Sequence, residues 1–119
     1  MKINIKATGI DLTPSIQEYV EKRIETIEKF VNEESSEALA EVEVGLPSRH
    51  HKSGNIFYAE INLSVDGKLL TATATKDDLY AAIDEMRDTI ERECISHKNR
   101  KKTLEKKGDS IIKKIMRGE

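Results

Sequence analysis

The chain has little of what usually marks a catalytic, secreted or membrane protein. It has no tryptophan, and aromatic residues make up 4% of its 119 positions. Its single cysteine, Cys94, excludes an internal disulfide framework and fits a reducing compartment. No apolar run is long enough to span a bilayer. The opening Met1-Lys2-Ile3-Asn4-Ile5 alternates from the start and has no signal-like apolar stretch. A cytoplasmic chain without membrane contact is therefore expected. No glycine-rich phosphate loop, nucleophile elbow or serine–histidine–aspartate arrangement occurs. The expectation is a non-enzyme with no small-molecule substrate and no cofactor. Cys94 and His97 lie three residues apart, but Cys94 continues the apolar stripe of Met86 and Ile90. Core packing accounts for it, and no metal is expected.

Charge is plentiful but unevenly placed. Residues 1–95 hold 11 Lys+Arg against 19 Asp+Glu, a net of -8, whereas residues 96–119 hold 9 against 3, a net of +6. The overall value of -2 thus hides an acidic body with a basic end. Such asymmetry points to a polyanionic partner met from one side, or else to a solvated tail.

Periodicity supplies the elements. Ile3, Ile5 and Ala7 alternate with Lys2, Asn4 and Lys6, giving a half-buried strand over 2–8. Thr13-Pro14 is a helix start, with a hydroxyl cap and a proline where no N–H is needed. Ile16, Tyr19, Val20, Ile24, Ile27 and Val31 recur at helical spacing and predict a helix ending near Phe30–Asn32. Alternation over Ala40–Leu46 and Phe57–Val65 predicts two further strands, separated by the polar loop Pro47–Asn55. Asp66-Gly67 is a two-residue hairpin signal leading to a fourth strand over Leu70–Ala74. Asp77 or Asp78 caps a last helix, whose buried stripe is Leu79, Ala82, Ile83, Met86, Ile90, Cys94 and His97. That helix is predicted to run from 78 to about 106, roughly 40 Å. Beyond it, Ile111, Ile112, Ile115 and Met116 between lysines leave a docking turn and a frayed end both open.

The order β-α-β-β-β-α predicts an α+β fold: a four-stranded mixed sheet with both helices on one face, like a double-stranded-RNA-binding domain. One domain over 1–107 and a short basic extension over 108–119 are expected.

The segment Ala74-Thr-Lys-Asp-Asp-Leu-Tyr-Ala-Ala-Ile-Asp84 is similar to the most recognisable motif of the ribosome hibernation-promoting factor family. That family includes the ribosome-associated inhibitor of translation and was once called sigma-54 modulation protein. Ile5-Lys-Ala-Thr-Gly-Ile-Asp-Leu-Thr-Pro14 resembles its opening, and Phe57-Tyr-Ala-Glu-Ile-Asn-Leu63 with Gly67 and Leu70 its central hairpin. The likeness covers about residues 1–107. It implies a factor that binds the small ribosomal subunit and its rRNA in the channel used by mRNA and tRNA, and that inhibits translation in resting cells. It also implies the short type, without a dedicated dimerisation domain. The family usually has more basic residues in the stretch matching Asp88–His97, where this chain has Thr89, Glu93, Ile95 and Ser96.

Candidate RNA-binding residues follow. Lys98, Arg100, Lys101, Lys102, Lys106 and Lys107 lie past the apolar stripe, where they can neutralise phosphates. Lys22 and Arg23 on the first helix can join them, or pair with Glu18, Glu21, Glu25 and Glu28. Arg49 and Lys52, with His50 and His51, form a basic loop that is either an RNA finger or a solvated turn. Tyr80 and Asp84 are read as structural. Two other readings compete: a generic structured-RNA module and an adaptor using the acidic surface. The RNA module would hold phosphates at the start of the last helix, where this chain places Asp77-Asp78.

Overall fold

In a computed structural model, the chain is described over residues 1–31, 38–47 and 56–116, with the side chains of 101 and 104–116 not described. The elements follow in the expected order: β1 (Lys2–Thr8), α1 (Pro14–Glu25), a 3-10 turn (Glu28–Phe30), β2 (Leu39–Gly45), β3 (Phe57–Val65), β4 (Lys68–Lys76) and α2 (Leu79–Met116). The sheet order is β1-β2-β3-β4, with β1 parallel to β2 and the other neighbours antiparallel.

Both helices cover one face of the sheet. Ala40, Val42, Val44, Ala59, Ile61, Leu63, Leu70, Ala72 and Ala74 point beneath them into a single core with Val20, Ile24, Ile27, Ile83, Met86 and Ile90. Lys6, Glu41, Glu43, Tyr58, Glu60, Asn62 and Thr71 occupy the other face, so the alternation in the sequence becomes an apolar side and a polar side. Asp66 (φ 53°) and Gly67 (φ 72°) make the hairpin turn with both residues left-handed, as a two-residue loop requires.

Two boundaries differ from expectation. The first helix ends at Glu25, at least five residues before the expected Phe30–Asn32. The Thr26 hydroxyl donates to the Arg23 carbonyl (2.6 Å), and Ile27 N–H bonds to Ile24 C=O (3.0 Å). This back-bonding by a β-branched hydroxyl residue competes with the helical ladder. The tightened chain still buries Ile27 and Val31, so the apolar stripe outlasts the helix. The last helix, by contrast, continues through Gly108 to Met116 instead of stopping near 106. A lone glycine costs about 1 kcal/mol in a helix interior, and no proline follows to stop propagation. With 38 residues, α2 is about 57 Å long and accounts for the elongated outline, 68 × 29 × 18 Å.

Candidate nucleic-acid interface

α2 positions the principal cations. Asp78 caps it, its carboxylate accepting from Ala81 N–H at 3.1 Å. Its first half is bolted to the sheet through Leu79, Ala82, Ile83, Met86, Ile90 and Cys94, all buried. Burial pushes the Cys94 thiol up to about 11, which suits its place as a protonated side chain packed in the core. Where the helix leaves the core, His97 Nε2 lies 3.5 Å from Asp66 Oδ2 at the β3–β4 hairpin tip. The next residues are outside the body. Lys98, Arg100 and Lys102 are exposed, and Lys101, Lys106 and Lys107 are further positions on the same helix. At 100° per residue, the exposed Lys98 and Lys102 share one side of the helix and Arg100 lies on the other, which suits a partner that encloses the rod.

The first-helix cations are placed elsewhere. Lys22 Nζ pairs with Glu18 at 2.8 Å, both well exposed. That contact lowers the Glu18 carboxyl below its ordinary range and raises Lys22 above its own. Arg23 sits in the groove between the helices. Its Nε is 3.0 Å from Asp84 Oδ1, and its Nη2 donates to the Tyr19 hydroxyl at 3.0 Å. Tyr19 in turn donates to Asp84 at 2.7 Å, and that bond raises the phenol above its ordinary range. Tyr80 stacks edge-on against Tyr19, with centroids 4.8 Å apart. Tyr80 and Asp84, two residues of the sequence motif, thus clasp α1 to α2. The groove holds about 210 Å³, lined by Arg23, Thr26, Asp84, Arg87 and Asp88. Asp84 precedes Lys98 by fourteen positions, about 21 Å along the helix. Arg23, held at Asp84, is thus set back along α2 from Lys98. Arg49 and Lys52 lie outside the described residues.

Two α2 arginines escaped the sequence reading. Arg87 is mostly buried and bonds Thr26, Asp88 and Glu91, which makes it a helix-to-helix tie. Arg92 is exposed, donating to Thr89 at 3.2 Å, and stands between the two basic patches. Its flanking Glu91 and Glu93 concealed it in a one-dimensional charge count.

The open sheet face has the opposite character. A shallow depression of about 400 Å³ is lined by Asn4, Lys6, Glu41, Glu43, Glu60 and Asn62 among others. Glu43 accepts from the Thr8 hydroxyl (2.7 Å) and the Tyr58 hydroxyl (2.8 Å), which keeps its carboxyl below the ordinary range. Glu41, Glu43 and Glu60 outnumber Lys6 in this depression, whereas the described charged residues at 98, 100 and 102 of α2 are all cations.

Comparison with known proteins adds a family. Residues 3–102 match the model of the family described as sigma 54 modulation protein / S30EA ribosomal protein. A ribosome hibernation promoting factor of Azotobacter vinelandii is 31% identical over 100 residues, covering 84% of this chain and 85% of the relative. A ribosome hibernation promotion factor of Bacillus subtilis is 26% identical, and there the match covers 84% of this chain but 50% of the longer relative. Among solved structures, the N-terminal domain of Thermus thermophilus protein Y superposes with a TM-score of 0.68 at 26% identity, covering 82% of this chain and 99% of that domain.

Proposed function

The chain belongs to the sigma 54 modulation protein / S30EA ribosomal protein family, and we propose that it binds the small ribosomal subunit at the decoding and tRNA channel, contacts rRNA and inhibits translation in resting cells. A ribosome-associated hibernation role is the family's own, carried by relatives over most of their length. The finer assignment rests chiefly on one observation: the exposed cations Lys98, Arg100 and Lys102 of α2, on a helix that extends beyond the core. A rigid rod with charge on several sides reaches phosphates of more than one RNA segment without remodelling the body. The acidic sheet face turns away from RNA and orients the approach.

A generic structured-RNA module is the second reading. It is disfavoured by Asp78, whose carboxylate caps α2 at the place where such a module holds phosphate.

Co-sedimentation with separated subunits and intact ribosomes tests the assignment. The expected result is salt-sensitive binding to the small subunit and to intact ribosomes, with none to the isolated large subunit. A folded protein that stays in the supernatant at low salt refutes it. Equal binding to unrelated duplex RNA favours the second reading.

A further inference from the structure

Among the described residues, the outer edge of β4 is unpaired. Val65 and Lys68 close the two-residue turn and form the first doubly hydrogen-bonded pair of the hairpin. Such pairs alternate along an antiparallel ladder. Leu70, Ala72 and Ala74, opposite Leu63, Ile61 and Ala59, therefore direct their backbone groups to β3. Leu69, Thr71, Thr73 and Thr75 direct theirs off the sheet. β4 is the last strand of the sheet. Among the described residues, no backbone hydrogen bond outside the ladders reaches these four.

Natural edge strands are usually blunted by lysines, prolines or bulges. The opposite edge, β1, has Lys2 and Lys6 on its exposed positions. β4 has neither charge nor proline between its terminal Lys68 and Lys76, and its register with β3 is unbroken over nine pairs. Leu69 is 60% exposed, the most exposed large apolar residue among those described, and it lies on this edge.

We propose that the β4 edge pairs with β4 of a second copy of this chain, antiparallel about a two-fold axis through Ala72. In that register the four outward-facing residues pair only with one another: Leu69 with Thr75, and Thr71 with Thr73. Threonine pairs across strands are favourable, and the leucine covers a threonine methyl. A two-fold contact needs such self-complementarity. Lys68 meets the end of the copy at Lys76-Asp77-Asp78, where Lys76 is already engaged by Glu85 at 3.7 Å. The inference is independent of RNA binding, because β4 holds none of the proposed RNA contacts.

Sedimentation velocity from about 10 µM to about 500 µM spans the range in which a contact of this size assembles. The expected result is a mass rising from 13.5 kDa toward twice that value, with slowed amide exchange at Leu69, Thr71, Thr73 and Thr75. Thr73→Pro removes an outward N–H and leaves the β3 ladder intact. It should stay monomeric with an unchanged circular dichroism spectrum. Thr73→Lys, which places a charge on the edge, should also stay monomeric. Three outcomes overturn the proposal. One is a wild-type chain that is monomeric at the highest concentration. Another is association undiminished in both variants, as expected if some other surface or an extended foreign segment is the true partner. The third is an unfolded Thr73→Pro, which would show that this N–H serves β3.

Discussion

Replacing Lys98, Arg100, Lys101 and Lys102 together by glutamine isolates the electrostatic contribution of the α2 end. Each phosphate neutralised by a side-chain cation makes log K fall with log salt by about 0.7 to 0.9. Four lost contacts should therefore flatten the salt dependence of ribosome affinity by about 3 in slope. Relative to 1 M salt, each contact is worth about sixfold at 0.1 M, so the variant should bind about 10³-fold more weakly there, or about 4 kcal/mol. At 0.3 M the deficit should shrink to about 50-fold. Stability should hardly move. Lys98, Arg100 and Lys102 are exposed, glutamine matches lysine in helix propensity, and surface changes of this kind stay within about 0.5 kcal/mol. Anisotropy of a labelled protein titrated with small subunits at several KCl concentrations reads the slope, and a thermal melt reads the stability. Parallel salt slopes for variant and wild type would falsify phosphate neutralisation by these four residues, whatever the change in affinity.

Tyr19→Phe removes the hydroxyl that bonds Asp84 and accepts from Arg23. With both partners half-exposed, it should cost about 1 kcal/mol, lowering the melting midpoint by roughly 3 to 5 °C. An unchanged midpoint means that the Tyr19 hydroxyl adds nothing to the helix clasp in solution. Glu43 is held below its ordinary range by the Thr8 and Tyr58 hydroxyls. Its stabilisation is thus present above the unfolded carboxylate pKa and lost as pH falls through the lower folded value. Urea unfolding from neutral pH down through that range should show Glu43→Gln less stable than wild type at neutral pH, with the gap closing in acid. A constant gap refutes the linkage. Gly45→Ala would put a Cβ 1.9 Å from the Thr8 carbonyl oxygen and should part the end of β1 from β2, read as lost amide protection at Leu46, whose N–H bonds that same oxygen. Retained protection at Leu46 would show that the strands yield without separating.

Most of the fold could be read one residue at a time because its core is built by alternation. Apart from Leu39 and Leu69, which have the parity of the open face, the apolar strand positions face the helices, and Asp66-Gly67 admits one tight turn. The helix boundaries were less accessible, since they depend on competition between near-equal terms. At Thr26, a hydroxyl facing the Arg23 carbonyl ends the regular ladder even though the apolar period runs on to Val31. At Gly108, the local penalty is smaller than what a long run of helix-favouring neighbours sustains.

The site was only half accessible for a geometric reason. A charge count along the chain locates Lys98 to Lys107 because they are consecutive on one element. It treats Lys22 and Arg23 as further members of the same surface. Only the packing shows that Arg23 meets Asp84, about 21 Å upstream of Lys98 along α2. The same count passes over Arg92, whose acidic neighbours in sequence point in other directions around the helix. The proposed RNA partner would therefore meet separate groups of cations on α1 and on the far part of α2. Lys22 should be the more available of the two on α1, because its pair with Glu18 is exposed and weakened by solvent screening. Arg23 has to give up a carboxylate, a phenol oxygen and its stacking on the Tyr19 ring. Removing the Lys22 charge should accordingly weaken rRNA binding more than removing that of Arg23, while removing Arg23 should cost more stability.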